Sequence, residues 1–450
     1  MLSEDQDPSG APKTSAPSLQ LALPLVGPAS GRGRSHGTSN SKPFDRWFRY
    51  PAGFASDYVA MLLSQLDIQP SSLIVDPFTG SGVTGTAALT AGHSFFGVEA
   101  HPEIAELASL KLEQPPAPVA EFMTFARQLA ASASARADAF TLEVEGEPDL
   151  VRRCFTVQTL ASLMALREVI KKAYPHPCAV YAKWALLGTL RDVASAKVGW
   201  PYQRPGSERK PKFIDPVPRF IQRVTWMAED LYSAEMLGRG VRAFVATGDA
   251  RNSEAWASVE PGTVHGCISS PPYLNNFDYA DATRLELYFW GVAATWAEMC
   301  STVRSDMLTA TTQQSSVGAA RKAENLLERF GATGKRILDI ASRLEVERTS
   351  RKRGKEYDRV VPDYFQAIAL VLENLSRTLM SGAPTAWLIG DSAPYGVYID
   401  TPALIGEIAE HLNFTVEKDV TLRLRGQRWA TNTTRHDVQL GERLLLLRRR

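Results

Sequence analysis

A short apolar run that ends in an acid, Ser72-Leu-Ile-Val-Asp76, leads straight into the glycine-rich stretch Pro77-Phe-Thr-Gly80-Ser-Gly82-Val-Thr-Gly85. The run has the length and β-branched content of a buried strand, and the glycines mark a sharp turn before a helix. A second strand pattern, Ser94-Phe-Phe-Gly-Val-Glu99, again ends in an acid, and the helical pattern of residues 101–113 follows it. Strand, helix, strand and helix within about 40 residues leave little choice of architecture. The strands are parallel, the helices are crossovers, and the fold class is α/β with a doubly wound, mostly parallel sheet.

The rest of the chain extends that pattern. The segment before the first strand, Arg46-Trp-Phe-Arg-Tyr50-Pro, reads as a turn, and a helix is expected from Ser56, a candidate N-cap. Strand patterns resume at residues 241–250, 264–269 and 385–392, and two more, 415–426 and 443–450, close the chain. A long helix is expected at 362–381 and another near 402–412. Between these parts lie two stretches with helical spacing, 119–240 and 294–360. At 450 residues the chain suits one large domain with insertions, or two domains. The expected division is a tail at 1–42, rich in Ser, Pro and Gly and expected to be disordered, and a catalytic domain assembled from 43–118, 241–293 and 361–450. The two helical insertions complete it.

The glycine stretch contains GxGxxG, with Glu99 nineteen residues after Gly80. Glycines admit a ligand close to the backbone, and the acid can bind two ribose hydroxyls. Those features alone fit a nicotinamide cofactor or S-adenosylmethionine. In dinucleotide enzymes the glycines follow the strand directly, so that a helix N-terminus meets a pyrophosphate. Here Pro77, Phe78 and Thr79 intervene after a carboxylate. Asp76 is placed to meet a cation and Phe78 to line an adenine or methionine pocket. S-adenosylmethionine carries an ammonium and a sulfonium and no phosphate, which suits this arrangement.

The second chemical feature is Ser270-Pro271-Pro272-Tyr273, directly after the strand pattern His265-Gly-Cys-Ile-Ser269. Consecutive prolines fix the backbone and remove donors. The Ser270 hydroxyl and Pro271 carbonyl can then act as acceptors facing one small volume. The exocyclic amine of a nucleic-acid base is a poor nucleophile because its lone pair is delocalised into the ring. Two acceptors, each taking an amino proton, draw the lone pair out of conjugation. Tyr273 can stack on a base rotated out of a duplex.

Together these residues resemble the amino-methyltransferases that modify cytosine at N4 or adenine at N6 in DNA. The family's cofactor motif, D-P-F-x-G-x-G, is matched from Asp76 to Gly82, and its catalytic motif, [DNS]-P-P-Y, from Ser270 to Tyr273. The resemblance covers 44–112, 243–292 and 362–450. It implies the S-adenosylmethionine-dependent methyltransferase type of sheet, with an antiparallel C-terminal strand. It also implies cofactor contacts from Tyr50, Asp76, Phe78, Gly80, Gly82, Glu99 and Asp249. Serine at the first position of the catalytic motif goes more often with cytosine N4. The implied activity is site-specific methylation of a flipped-out cytosine at N4. Adenine N6 in DNA, or a base in RNA, is the alternative within the family. A nicotinamide-dependent oxidoreductase would leave the second motif without a role.

Only about twenty residues separate Asp249 from Ser270, so target recognition is expected to come from the insertions. Both lie in or overlap basic stretches. Residues 191–223 carry eight Lys/Arg against three acids, and residues 300–360 carry thirteen against eight, although the whole chain is only +1. Arg204, Arg209, Lys210 and Lys212, and then Arg351, Lys352 and Arg353, are candidate phosphate contacts on double-stranded DNA. Asn275, Asn276, Asp278 and Tyr279 are candidates for the base pocket. A cognate restriction endonuclease or defence system is an expected partner. Four cysteines without a CxxC pair and seven histidines without ligand spacing imply no metal and a reduced, cytoplasmic, nucleoid-associated setting. The apolar run 19–27 is short and broken by Pro24, so no signal peptide or membrane span is expected.

Overall fold

Leu73 to Asp76 form the strand that the sequence pattern requires, and it becomes the centre of a sheet. The computed structural model describes residues 41–50, 55–113, 118–195, 211–236, 240–274, 278–310, 317–425 and 439–450. In chain order the elements begin α1 (Ser56–Gln65), β1 (Leu73–Asp76), α2 (Val83–Thr90), β2 (Ser94–Glu99) and α3 (Pro102–Leu112). A helical stretch follows, with α4 (Val119–Ser134), α5 (Asp149–Cys154), α6 (Val157–Lys172), α7 (Ala179–Val193) and α8 (Pro216–Met236). Next are β3 (Ala243–Thr247), β4 (Gly266–Ser269), α9 (Arg284–Trp290), α10 (Trp296–Met299), α11 (Val317–Leu327), α12 (Gly331–Thr349) and α13 (Tyr357–Thr378). The chain closes with β5 (Pro384–Gly390), α14 (Thr401–His411), β6 (Phe414–Arg425) and β7 (Leu440–Arg449).

The described strands make one seven-stranded sheet in the order β3-β2-β1-β4-β5-β7-β6. The first five are parallel, with Val75 level with Phe96 on one side and Cys267 on the other. Only β7 runs against its neighbours, pairing antiparallel with β5 and β6. This is the doubly wound sheet with an antiparallel C-terminal strand expected from the sequence. The strand order reverses beside β1, between β2 and β4. In an open α/β sheet a crevice opens there, at the carboxyl ends of the strands.

Both helical stretches fall where their spacing put them, and each packs on the sheet domain. The core of the first joins Trp184, Leu187 and Phe220 to Trp47, Phe48 and Tyr50 of the N-terminal segment and to Ile104 and Leu107 of α3. Helix α7 is buried on nearly every face, as its apolar composition requires. Its one buried lysine, Lys183, is neutralised by Glu103 and Glu106 of α3. In the second stretch, Leu327, Phe330, Ile337 and Leu344 pack on α13.

Two boundaries differ from the sequence reading. Ala55, not Ser56, occupies the N-cap position of α1, without a side-chain cap, and Ser56 is already its first helical residue. Helix α13 starts at Tyr357, five residues ahead of Pro362, and ends at Thr378. Proline in the second turn removes a single helical hydrogen bond, and the apolar face of α13 outweighs that loss.

Candidate active site

The crevice at the switch point is a cleft of about 930 Å³, counting the space open to solvent, and it gathers both sequence motifs. Tyr50, Asp76, Phe78, Gly80, Glu99, Asp249, Ser270 and Pro272 all line it. Gly82, Pro271 and Tyr273 are not among its lining residues.

The glycine turn takes its shape from backbone sterics. Gly80 and Gly82 have φ of 53° and 86°, in the left-handed region that side chains disfavour. A Cβ at Gly80 would lie 3.7 Å from the Tyr50 ring, so the tyrosine rests directly on the turn. The Glu99 carboxylate holds the turn from the next strand. One oxygen accepts the Gly80 N–H at 2.7 Å and the other accepts the His101 N–H at 2.9 Å. A carboxylate oxygen has two lone-pair sites, so both remain able to accept ribose hydroxyls. Burial pushes the Glu99 carboxyl up to about 7, although the two N–H groups favour its charge.

Asp76 has a more structural place than the sequence suggested. Its carboxylate accepts from the Phe78 N–H at 2.9 Å, the Ser269 hydroxyl at 2.5 Å and the Thr84 hydroxyl at 2.6 Å. It thereby binds β1 to β4 and to the start of α2, while still facing the cleft. Burial raises its pKa to about 6. Asp249 receives the guanidinium of Arg251 at 2.8 Å, and both residues line the cleft beside β3.

The second motif begins one residue past β4. The Ser270 hydroxyl donates to the Leu388 carbonyl of β5 at 3.2 Å. Its hydrogen is thereby directed to β5, which leaves the oxygen lone pairs for an amino proton. The Pro272 carbonyl accepts the Tyr364 hydroxyl of α13 at 2.9 Å. Tyr273 is 5% exposed, and its hydroxyl donates to Glu442 of β7 at 2.9 Å. Of the four candidates that follow the motif, Tyr279 lines the cleft. Asp278 pairs with Arg304 at 2.9 Å, and Asn275 and Asn276 lie outside the described residues.

Two buried links join the halves of the cleft. Arg191 of α7 donates to the Arg49 carbonyl, next to Tyr50, and to the Ala282 carbonyl at 2.9 Å. It pairs with buried Glu286 at 2.6 Å and covers the Phe48 ring at 3.8 Å. His101 lies 2.8 Å from the Thr283 hydroxyl through Nε2, while its Nδ1 accepts the Ile104 N–H and caps α3. Burial pushes this imidazole down to about 3, so it is neutral and donates from Nε2. A His-Pro pair at the start of a helical pattern was a readable signal for the cap. Nothing in the sequence marked Arg191, nor Asp306, Met307 and Leu308, which close one side of the cleft.

The basic candidates are placed unevenly. Arg204, Arg209 and Lys210 lie outside the described residues, and Lys212 is exposed just before α8. Arg351, Lys352 and Arg353 are exposed between α12 and α13. That turn is held by Tyr395, whose hydroxyl donates to the Lys355 carbonyl at 3.1 Å and whose ring lies 4.4 Å from the Arg351 guanidinium. Tyr395 follows the carboxyl end of β5, so the turn stands at the cleft end of the sheet. Among the described residues, no group of three or more His, Cys, Asp or Glu is arranged to hold a metal ion. No helix among them is long and apolar enough to cross a membrane.

A DNA methylase family model, of the N6/N4 methyltransferase type, matches residues 31–110. The chain is 25% identical over 424 residues to the type II methyltransferase M.AvaI of Nostoc sp. (strain PCC 7120), covering 85% of this chain and 82% of that protein. It is 24% identical over 459 residues to the type II methyltransferase M.BsoBI of Geobacillus stearothermophilus, covering 87% and 82%. Among solved structures, the rRNA methyltransferase aviRa from Streptomyces viridochromogenes overlaps 88% of this chain and 86% of its own, at 10% identity and a TM-score of 0.27. At that distance the strand order and the cleft carry the fold assignment. The turn, the acid at the end of β2 and the ring on Gly80 fit a nucleoside with a cationic arm. Residues 31–110 thus resemble the DNA methylase family, and most of the chain is similar to two type II methyltransferases, a likeness that fits S-adenosylmethionine as the cofactor.

Proposed function

We propose that the chain methylates the N4 amino group of cytosine in DNA, with the base rotated out of the duplex into the cleft. The observation that carries this reading is the Ser270 hydroxyl. Its hydrogen is directed to Leu388, and Ser270 lines the same cleft as Glu99 and Tyr50. S-adenosylmethionine, when bound, supplies an electrophilic methyl group on its sulfonium. Glu99 and Asp249 hold the nucleoside end, and Tyr50, Phe78 and the Gly80–Gly82 turn shape the space around it. Ser270 and the Pro271 carbonyl each accept an amino proton, which leaves the nitrogen lone pair free of the ring and aimed at the methyl group. Tyr273 is assigned to the base side of the motif. No residue has to deprotonate the amine first, because the nitrogen gives up its surplus proton to solvent after the methyl group has moved, so the chain contributes orientation and fixed acceptors.

The helical insertions, with Lys212, Arg351, Lys352, Arg353 and the candidates at 204, 209 and 210, are assigned to the target duplex. A cognate endonuclease is the partner implied by this reading. The test is transfer of labelled methyl groups to DNA by the wild-type chain and by Ser270→Ala. The variant should bind cofactor normally and transfer roughly ten- to a thousandfold more slowly, as when one oriented transition-state partner is lost. Equal rates would remove Ser270 from the mechanism.

A further inference from the structure

Two consecutive prolines give a motif stiffness but take away its own means of attachment. Neither Pro271 nor Pro272 has an N–H, so the middle of the turn cannot be pinned through backbone donors. The fold must instead reach its carbonyls and its flanking side chains from outside. Ser270 is tied to the Leu388 carbonyl of β5, as described above. Two further attachments come from buried side chains remote in sequence.

The first is Tyr364 of α13, fully buried, whose hydroxyl donates to the Pro272 carbonyl at 2.9 Å. The second is Glu442 of β7, 5% exposed, which accepts the Tyr273 hydroxyl at 2.9 Å. Glu442 is itself oriented. It sits opposite Arg423 in the β6–β7 register and pairs with that guanidinium. We infer that Tyr364 and Glu442 are positioning residues of the methyl-transfer reaction, which set the angle at which the Ser-Pro-Pro-Tyr turn presents its acceptors to the amine.

Each attachment acts on one end of the same rigid unit. Prolines transmit a displacement rather than absorb it, because their φ is fixed. Loss of the Tyr364 bond frees the carbonyl end at Pro272, and loss of the Glu442 bond frees the tyrosine. Either change moves the acceptors without touching the glycine turn or Glu99. The inference rests on the proposed role of Ser270, and it gives β7 and α13 a part in the chemistry that their sequences do not reveal.

The experiment is single-turnover methyl transfer to DNA with cofactor prebound, alongside calorimetric cofactor binding and thermal melting. Tyr364→Phe keeps the ring and removes only the hydroxyl. It should slow transfer on the order of tenfold to a hundredfold, the scale of a misplacement near 1 Å, with cofactor affinity unchanged. Glu442→Ala should do the same, and Glu442→Gln, which still offers an acceptor oxygen, should recover most of the rate. Tyr273→Phe added to Glu442→Ala should cost less than the sum of the two single changes, because the shared bond is lost only once. Transfer at the wild-type rate in Tyr364→Phe and Glu442→Ala, while Ser270→Ala is slow, would overturn the inference. So would a Glu442→Gln variant as slow as Glu442→Ala in a fully folded protein. Wild-type transfer by Ser270→Ala would instead overturn the catalytic reading on which it rests.

Discussion

The Glu99 carboxylate accepts the backbone N–H of Gly80 at 2.7 Å, so the acid that ends one strand fixes the glycine turn that follows the other. The same carboxylate is assigned to the ribose hydroxyls. Glu99→Gln should therefore weaken cofactor binding by about tenfold or more, the scale of one charge-assisted hydrogen bond. Calorimetry measures it directly. Unchanged affinity would place the ribose elsewhere.

Glu99 also makes the cleft sensitive to pH. Burial raises its carboxyl from 4.5 to about 7 and that of Asp76 from 3.8 to about 6. Below these values the folded chain holds protons that the unfolded chain has lost. The ligand-free protein should thus lose stability as pH rises through roughly 3.8 to 7, in this contribution. Cofactor affinity should move the opposite way, because the ionised carboxylate is the better acceptor. Denaturant midpoints and cofactor titrations across that window check both slopes, and Glu99→Gln should flatten the affinity slope and leave the Asp76 share of the stability slope.

Arg191 reaches from the helical insertion to the carbonyls of Arg49, beside Tyr50, and of Ala282, against buried Glu286. Arg191→Met leaves Glu286 without its cation, and removal of one partner of a buried pair costs about 3–5 kcal/mol. Chemical denaturation should show that loss. Arg191→Lys should regain part of the stability but not the two-carbonyl clasp, so its cofactor affinity should stay low. Normal binding in Arg191→Lys would make the clasp dispensable for the site.

The turn at 351–353 stands at the carboxyl end of the sheet, held by Tyr395. Replacing Arg351, Lys352 and Arg353 together with glutamine should weaken DNA binding at low salt. The slope of log affinity against log salt should fall by about 0.9 for each side chain that meets a phosphate. Cofactor affinity should not change. An unaltered salt slope would move the duplex to another face.

The sheet was legible because its signals are local. Apolar runs ending in Asp76 and Glu99 and the glycines between them specify strands, turn and crossover without help from distant residues. The cleft lining at Phe78 and Ser270 was legible for the same reason, since strand ends in this fold converge, whereas Tyr50 and Asp249 were implied only by the family resemblance. Arg191, Tyr364 and Glu442 were not. Each acts across a sequence separation of about ninety residues or more, and a buried arginine or tyrosine looks in sequence like any other core or surface residue. Asp76 was legible as an acid at the turn, but its three hydrogen-bond partners are set by tertiary contact.

Methylation of cytosine N4 at the Ser270 cleft is the proposal on which the other roles depend. Expression of the chain in a host that lacks DNA methylation, followed by digestion of the DNA and mass spectrometry of its nucleosides, tests it most directly. N4-methylcytosine should accumulate with the wild-type chain and fall away with Ser270→Ala. DNA that carries N6-methyladenine instead, or no added methyl group, would contradict it.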